Sequence, residues 1–182
     1  MFKKLNILDE KDKRLRMIST DITEPLTKKD KELVKQMLLE LRYSQIEELS
    51  KKYKLRPGMG LAYPQLGINK RLIVIVHEYE DGKFNDYVVV NPVIVSNSEE
   101  IIAAEAGEGC LSVNRDVDGH VPRYARVTIK GKDIDGNDIT IRAREDLSIA
   151  FQHEIDHLNG ILFYDRINKK KPFFTEDEIR LI

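Results

Sequence analysis

The sequence predicts a single α+β domain with a mostly antiparallel β-sheet. Three observations carry this: helical apolar spacing after Leu26, β-branched runs separated by turn residues from Arg71 to Ala143, and a second helical stretch before Asn159-Gly160. At 182 residues and 41% hydrophobic content, the chain has enough apolar material for one core and is short for two domains, so 1–182 reads as one unit.

Thr27, followed three residues on by Asp30, resembles a capping box, and Val34, Met37, Leu38 and Leu41 recur on one helical face. Lys28, Lys29, Lys31, Glu32, Lys35 and Glu40 are expected on the opposite, solvated face. The pattern weakens through Ser44, which predicts a break or a second short helix near 43–53. Arg56-Pro57-Gly58-Met59-Gly60 then interrupts regular structure, as a functional loop or a connector. Arg71 to Glu80 and Phe84 to Asn91 read as a hairpin turned at Asp81-Gly82. Further strands are expected at Val93–Val95, Ile101–Ala104, Tyr124–Lys130 and Ile139–Ala143, the last two joined through Asp135-Gly136-Asn137. Asp146 or Ser148 is expected to cap a helix that runs to about Leu158, with Asn159-Gly160 supplying a left-handed end.

Thirty basic and thirty-one acidic residues leave a formal charge of −1, so no net field favours DNA or an anionic membrane. Runs such as Leu72 to Val76 and Tyr87 to Val90 are far shorter than the ~20 apolar residues that span a bilayer. The basic N-terminal stretch has no apolar segment behind it, which predicts no secretory signal and a cytoplasmic location. A lone cysteine, Cys110, excludes an intramolecular disulfide and fits a reducing compartment.

The sharpest chemical signal is His153-Glu154-Ile155-Asp156-His157 inside the second helix. Residues four apart share a helical face, so the two imidazoles can converge on one cation, with Glu154 able to reach a water bound there. The same spacing also arises in helices that bind nothing, but here it lies in a helix with a defined stop. The other histidines, His77 and His120, read as ordinary surface or strand residues. Two imidazoles leave at least one ligand to find, and the candidates are an acidic residue downstream, such as Glu176, or Cys110 between Gly107, Gly109 and Ser112.

In order along the chain, Gly58-Met59-Gly60-Leu61-Ala62-Tyr63-Pro64-Gln65, Glu108-Gly109-Cys110-Leu111-Ser112 and Gln152-His153-Glu154-Ile155-Asp156-His157 resemble the three signature motifs of peptide deformylases. The similarity runs from the first helix to about Ile167, and the stretch between Tyr43 and Arg56 is similar to the longer type of Gram-positive bacteria. The resemblance implies a sheet arranged around a central metal-binding helix. It also implies that Cys110, His153 and His157 hold one divalent ion, Fe2+ in the cell with Zn2+, Ni2+ or Co2+ as substitutes. The implied reaction removes the N-formyl group from the initiator methionine of new polypeptides through metal-bound hydroxide, with Glu154 as general base and then acid. Gln65 and the Leu111 N–H are implied to stabilise the oxyanion, Gly60 and Gly109 to meet the peptide backbone, and Leu61, Ile149 and Ala150 to line the methionine pocket.

The family loop usually has alanine where this chain has Tyr63, so the ring is expected either to turn outward or to reshape the pocket entrance. The resemblance further implies a monomer whose partners are formylmethionyl nascent peptides. Lys169-Lys170-Lys171 reads first as a solvated cluster, with transient contact to ribosomal RNA as the functional alternative. Two rivals are a zinc endopeptidase using Glu176 and a non-catalytic protein with a structural metal site. The first gives no role to Cys110 or Gln65, and the second none to Glu154.

Overall fold

The computed structural model describes residues 2–182. The first helix, α1 (Lys28–Gln45), begins with the expected capping box: the Thr27 hydroxyl accepts from the Asp30 N–H at 3.2 Å, and Asp30 accepts from the Thr27 N–H at 2.9 Å. Its apolar stripe of Val34, Met37 and Leu41 is fully buried. Glu40 departs from expectation, because it is buried too. Its carboxylate accepts the Leu5 N–H at 2.6 Å, so the N-terminal segment rather than solvent covers that part of the helix. The short α2 (Glu47–Tyr53) follows where a break was predicted and ends at Lys54 in the left-handed region.

Five strands form the main sheet, in order β1-β2-β3-β6-β7 and antiparallel throughout: β1 (Gly60–Ala62), β2 (Leu72–Glu80), β3 (Lys83–Asn97), β6 (Arg126–Lys132) and β7 (Asp138–Arg144). A smaller sheet has the order β5-β4-β8, from β5 (Arg123–Tyr124), β4 (Ile101–Ala103) and β8 (Arg180–Leu181), with β4 and β8 parallel. The third helix, α3 (Glu145–Leu158), lies on the main sheet opposite α1.

That two-sided cover explains why β2 is apolar without alternation. Ile73 and Ile75 face Phe151, Ile155 and Leu158 of α3, whereas Leu72, Val74 and Val76 face Val34, Met37 and Leu41 of α1. A strand buried on both faces has no polar side to show. The same period of two divides the first motif, placing Ala62 against α3 and Leu61 against α1.

Several boundaries differ from the sequence reading. Phe84–Asn91 and Val93–Val95 are one strand, β3, carried through a bulge where Asn91 has φ 51° and its amide brackets the Ile22 backbone at 2.9 Å on both sides. Tyr124–Lys130 divides at Ala125 and contributes to both sheets. Neither Asp146 nor Ser148 caps α3. Arg144 occupies the cap without a side-chain bond, and the buried Ser148 hydroxyl instead donates to the Tyr124 carbonyl at 2.8 Å. The helix does end at a left-handed Gly160, with φ 71°. His120 is no surface residue: it is buried in a loop, where Nδ1 accepts the Phe174 N–H at 3.0 Å.

Tyr63 does neither of the things expected of it. It is 1% exposed and sits in the core between α1 and the sheet, where its hydroxyl finds no partner among the described residues. Removing that hydroxyl by Tyr63→Phe is expected to leave stability unchanged or raise it by about 1 kcal/mol. Tyr63→Ala should cost about 3–5 kcal/mol through the cavity it leaves. Urea denaturation of both variants checks this.

Candidate active site and metal centre

A cleft of about 1070 Å³ opens where β1, α3 and the 107–113 segment meet. From α3 it receives Ile149, Ala150, His153 and Glu154, residues three and four apart and hence on one face. Gly60 and Gln65 enter from the first motif, and Gly109, Cys110 and Leu111 from the second. Leu61 does not reach the cleft. The strand alternation turns it into the core beneath α1, which corrects the expectation that it lines the pocket.

Cys110, His153 and His157 bring their potential ligand atoms within 4.8 Å of one another. The Cys110 sulfur lies 3.3 Å from His157 Nε2, and the Ser112 N–H points at the same sulfur from 3.4 Å. One thiol and two imidazoles on a rigid frame are a donor set suited to a borderline divalent cation. Glu176, the other candidate third ligand, is exposed and lies outside this cluster.

Glu154 is 4% exposed, and its Oε2 has no hydrogen-bond partner among the described residues. Burial pushes its carboxyl up to about 7, the nearby positive His153 opposing and Glu108 adding to the rise. Gly60 is required here for a reason the sequence did not show. A Cβ at that position would stand 2.7 Å from Glu154 Cδ, so only glycine lets β1 pass the carboxylate. Gly109 has open space around it, leaving its backbone exposed along the cleft.

Gln65 is held at both ends of its amide. Its Oε1 accepts the Ala62 N–H at 2.9 Å, which aims Nε2 at the Ser112 hydroxyl, 3.2 Å away, and the Cys110 sulfur, 3.6 Å away. Arg56, from the preceding loop, donates to the carbonyls of Val113 at 2.9 Å and Leu111, fastening the second motif beside the first.

Sequence reasoning missed a buried ionic chain behind the ligands. His153 Nδ1 meets Glu108 Oε2 at 2.8 Å, leaving Nε2 for the cluster. Arg123 grips Glu108 at 2.8 and 2.9 Å and reaches Asp156 at 2.5 Å, and Arg166 closes on Asp156 at 2.6 Å through two nitrogens. Burial alone would raise the Glu108 pKa, but the bonds from His153 and Arg123 prevail and hold it at about 2. Glu108 and Asp156 stand inside recognised motifs, and their acidity was the available signal. Arg123 carries no local signal, since both its partners are distant in sequence.

The family model described as polypeptide deformylase matches residues 4–173. The chain belongs to the polypeptide deformylase family. Among curated deformylases, one from Oceanobacillus iheyensis is 52% identical over 149 residues, covering 82% of this chain and 81% of its own. Another from Levilactobacillus brevis is 44% identical over 186 residues, covering the whole of both chains. A plant peptide deformylase crystal structure superposes with a TM-score of 0.75 at 32% identity, over 91% of this chain and 82% of the other. A Met-Ala-Ser-bound deformylase from Acinetobacter baumannii gives 0.73 at 29% identity, over 92% and 100%. Deformylases are metalloenzymes, and the Cys110–His153–His157 group is a possible metal site.

Within this deformylase, Arg123 is the cation between two buried carboxylates. Arg123→Ala is expected to cost about 3–5 kcal/mol, because it leaves the buried Glu108 with His153 alone and Asp156 with Arg166 alone. Chemical denaturation of this variant provides the check.

Proposed function

We propose that the chain hydrolyses the formamide of the initiator methionine on new polypeptides, with a divalent ion on Cys110, His153 and His157 and with Glu154 as the proton carrier. The observation that carries this reading is the buried Glu154 carboxylate, its Oε2 without a partner among the described residues, beside the three converging ligands in an open cleft. A bound ion, Fe2+ in the cell with Zn2+, Ni2+ or Co2+ as substitutes, supplies Lewis-acid polarisation and makes water acidic enough to ionise near neutral pH.

The remaining work belongs to the chain. Glu154, buried beside the ligands with Oε2 unpartnered, takes a proton from the attacking water and returns it to the departing amine. One carbon–oxygen bond forms, the carbon–nitrogen bond breaks, and formate and a free N-terminus leave. The Gln65 Nε2 and the Leu111 N–H stabilise the oxyanion. Gln65 is suited to this because the Ala62 N–H already fixes its orientation.

The peptide docks as an added strand. In the main sheet β1 pairs with β2 alone, so its outer edge is open to an extended chain, with Gly60 on one side and Gly109 on the other offering main-chain groups. Ile149 and Ala150 present the apolar surface for the methionine side chain.

No helix among the described residues is long and apolar enough to cross a membrane. We place the enzyme in the cytoplasm as a monomer acting on nascent chains. Lys169 and Lys170 are exposed for a transient ribosome contact, while Lys171 pairs with Glu178.

Protein purified without oxygen is expected to release formate from formyl-Met-Ala-Ser and to stop when a chelator removes the ion; formate assay with metal analysis of the same sample tests both. Glu154→Gln should keep its metal and lose roughly 10²–10⁴-fold in kcat. Glu108→Gln should weaken metal affinity by roughly 10–100-fold, measured by competition with a chromogenic chelator.

A further inference from the structure

The family match ends at residue 173, yet the chain continues into β8 and returns to the cleft. Ile182 is pinned there by two main-chain bonds: its N–H donates to the Ala103 carbonyl at 3.0 Å, and its carbonyl accepts the Glu105 N–H at 2.8 Å. Arg180 ties the same strand to α3, clasping Glu145 at 2.7 and 2.8 Å and Glu100 at 2.9 Å. Glu145 opens α3 in the left-handed region, with φ 54°. Residue 182 is therefore fixed along β4, on a strand that Arg180 ties to α3, and its side chain lines the cleft while 37% exposed.

The level at which it enters gives it a role. From His153 back to Asp146 the cleft face of α3 covers about 10 Å at 1.5 Å per residue. The ligands stand at one end, Ile149 and Ala150 come one turn on, and Glu145 with Asp146 a further turn on. A methionine side chain that starts beside the ligands and runs along Ile149 ends at that last turn. The α3 residues there are both acidic and offer no apolar contact. At the end of the β4–β8 pair, which Arg180 holds beside Glu145, Ala104 lines the cleft with only a methyl group, and Ile182 brings the bulky apolar side chain to meet the end of the methionine.

We propose that Ile182 is a specificity-determining residue that closes the far end of the recess for the first side chain and so selects long, unbranched apolar residues. This rests on the deformylase reading above. Because residue 182 is held through its backbone, substituting its side chain leaves the β8 pairing in place.

The test measures kcat/KM for formyl-Met-Ala-Ser and formyl-Ala-Ala-Ser in the wild type, Ile182→Ala and Ile182→Trp. The alanine substrate is too short to reach the end wall. Ile182→Ala should lower kcat/KM for the methionine peptide roughly tenfold, and Ile182→Trp by at least as much, with the alanine peptide unchanged in both. An equal change on the two peptides, or no change on either, overturns the proposal. Wild-type protein that releases no formate would sink the deformylase reading instead. The recess would then be judged by calorimetric affinity for Met-Ala-Ser against Ala-Ala-Ser, where the same selective loss in Ile182→Ala supports the wall and its absence refutes it.

Discussion

The cleft depends on one buried ion pair and its extensions, Glu108 with Arg123. Glu108 belongs to the segment that carries Cys110, Arg123 begins the strand beneath it, and Asp156 and His153 stand on α3. A single guanidinium thus joins the loop bearing the thiol to the helix bearing the imidazoles. Both its carboxylate partners are removed from water, where charge pairs persist only with nearly complete hydrogen bonding, and the planar fork of arginine supplies it. The spacing between sulfur and imidazole, on which a metal site depends, is held by this network rather than by the ligands themselves.

The position of α3 makes such a network necessary. From Leu147 to Leu158 every residue of the helix is buried, so it has no solvated face on which to place its polar groups. One side is conventional, with Phe151, Ile155 and Leu158 against the sheet. The other carries Gln152, His153, Glu154, Asp156 and His157, each requiring a partner inside the protein. Gln152 takes the Tyr124 backbone through both ends of its amide, His153 takes Glu108, and Asp156 takes two arginines. Glu154 and His157 retain unpartnered atoms, and those two residues flank the cleft chemistry. His157 turns its other ring nitrogen, Nε2, to the Cys110 sulfur, and the Glu154 Oε2 is left as the unpartnered carboxylate oxygen beside the cluster.

Legibility followed the range of the interactions. Helices α1 and α3, the β2–β3 hairpin and the three motifs rest on spacings of a few residues, and all were readable. Glu40, Leu61 and Tyr63 were misjudged because a helical or strand pattern gives which residues share a face but not what covers it. Here the N-terminal segment covers Glu40, and α1 covers Leu61 and Tyr63. Arg123 and β8 were invisible for the related reason that their partners lie far away along the chain. A short parallel pairing such as Ile102 with Arg180 leaves no periodicity to detect.

Gly60 shows where sequence and structure give different reasons for the same residue. A glycine beside a substrate strand suggests room for a second backbone, and β1 does keep its outer edge open. The tighter constraint comes from behind, where the Glu154 carboxylate occupies the space a Cβ would need. A larger residue would push either β1 or the carboxylate aside, so strand and helix would shift against each other at the cleft. The glycine therefore couples strand to helix: β1 lies this close to the Glu154 carboxylate because it has no side chain at that point.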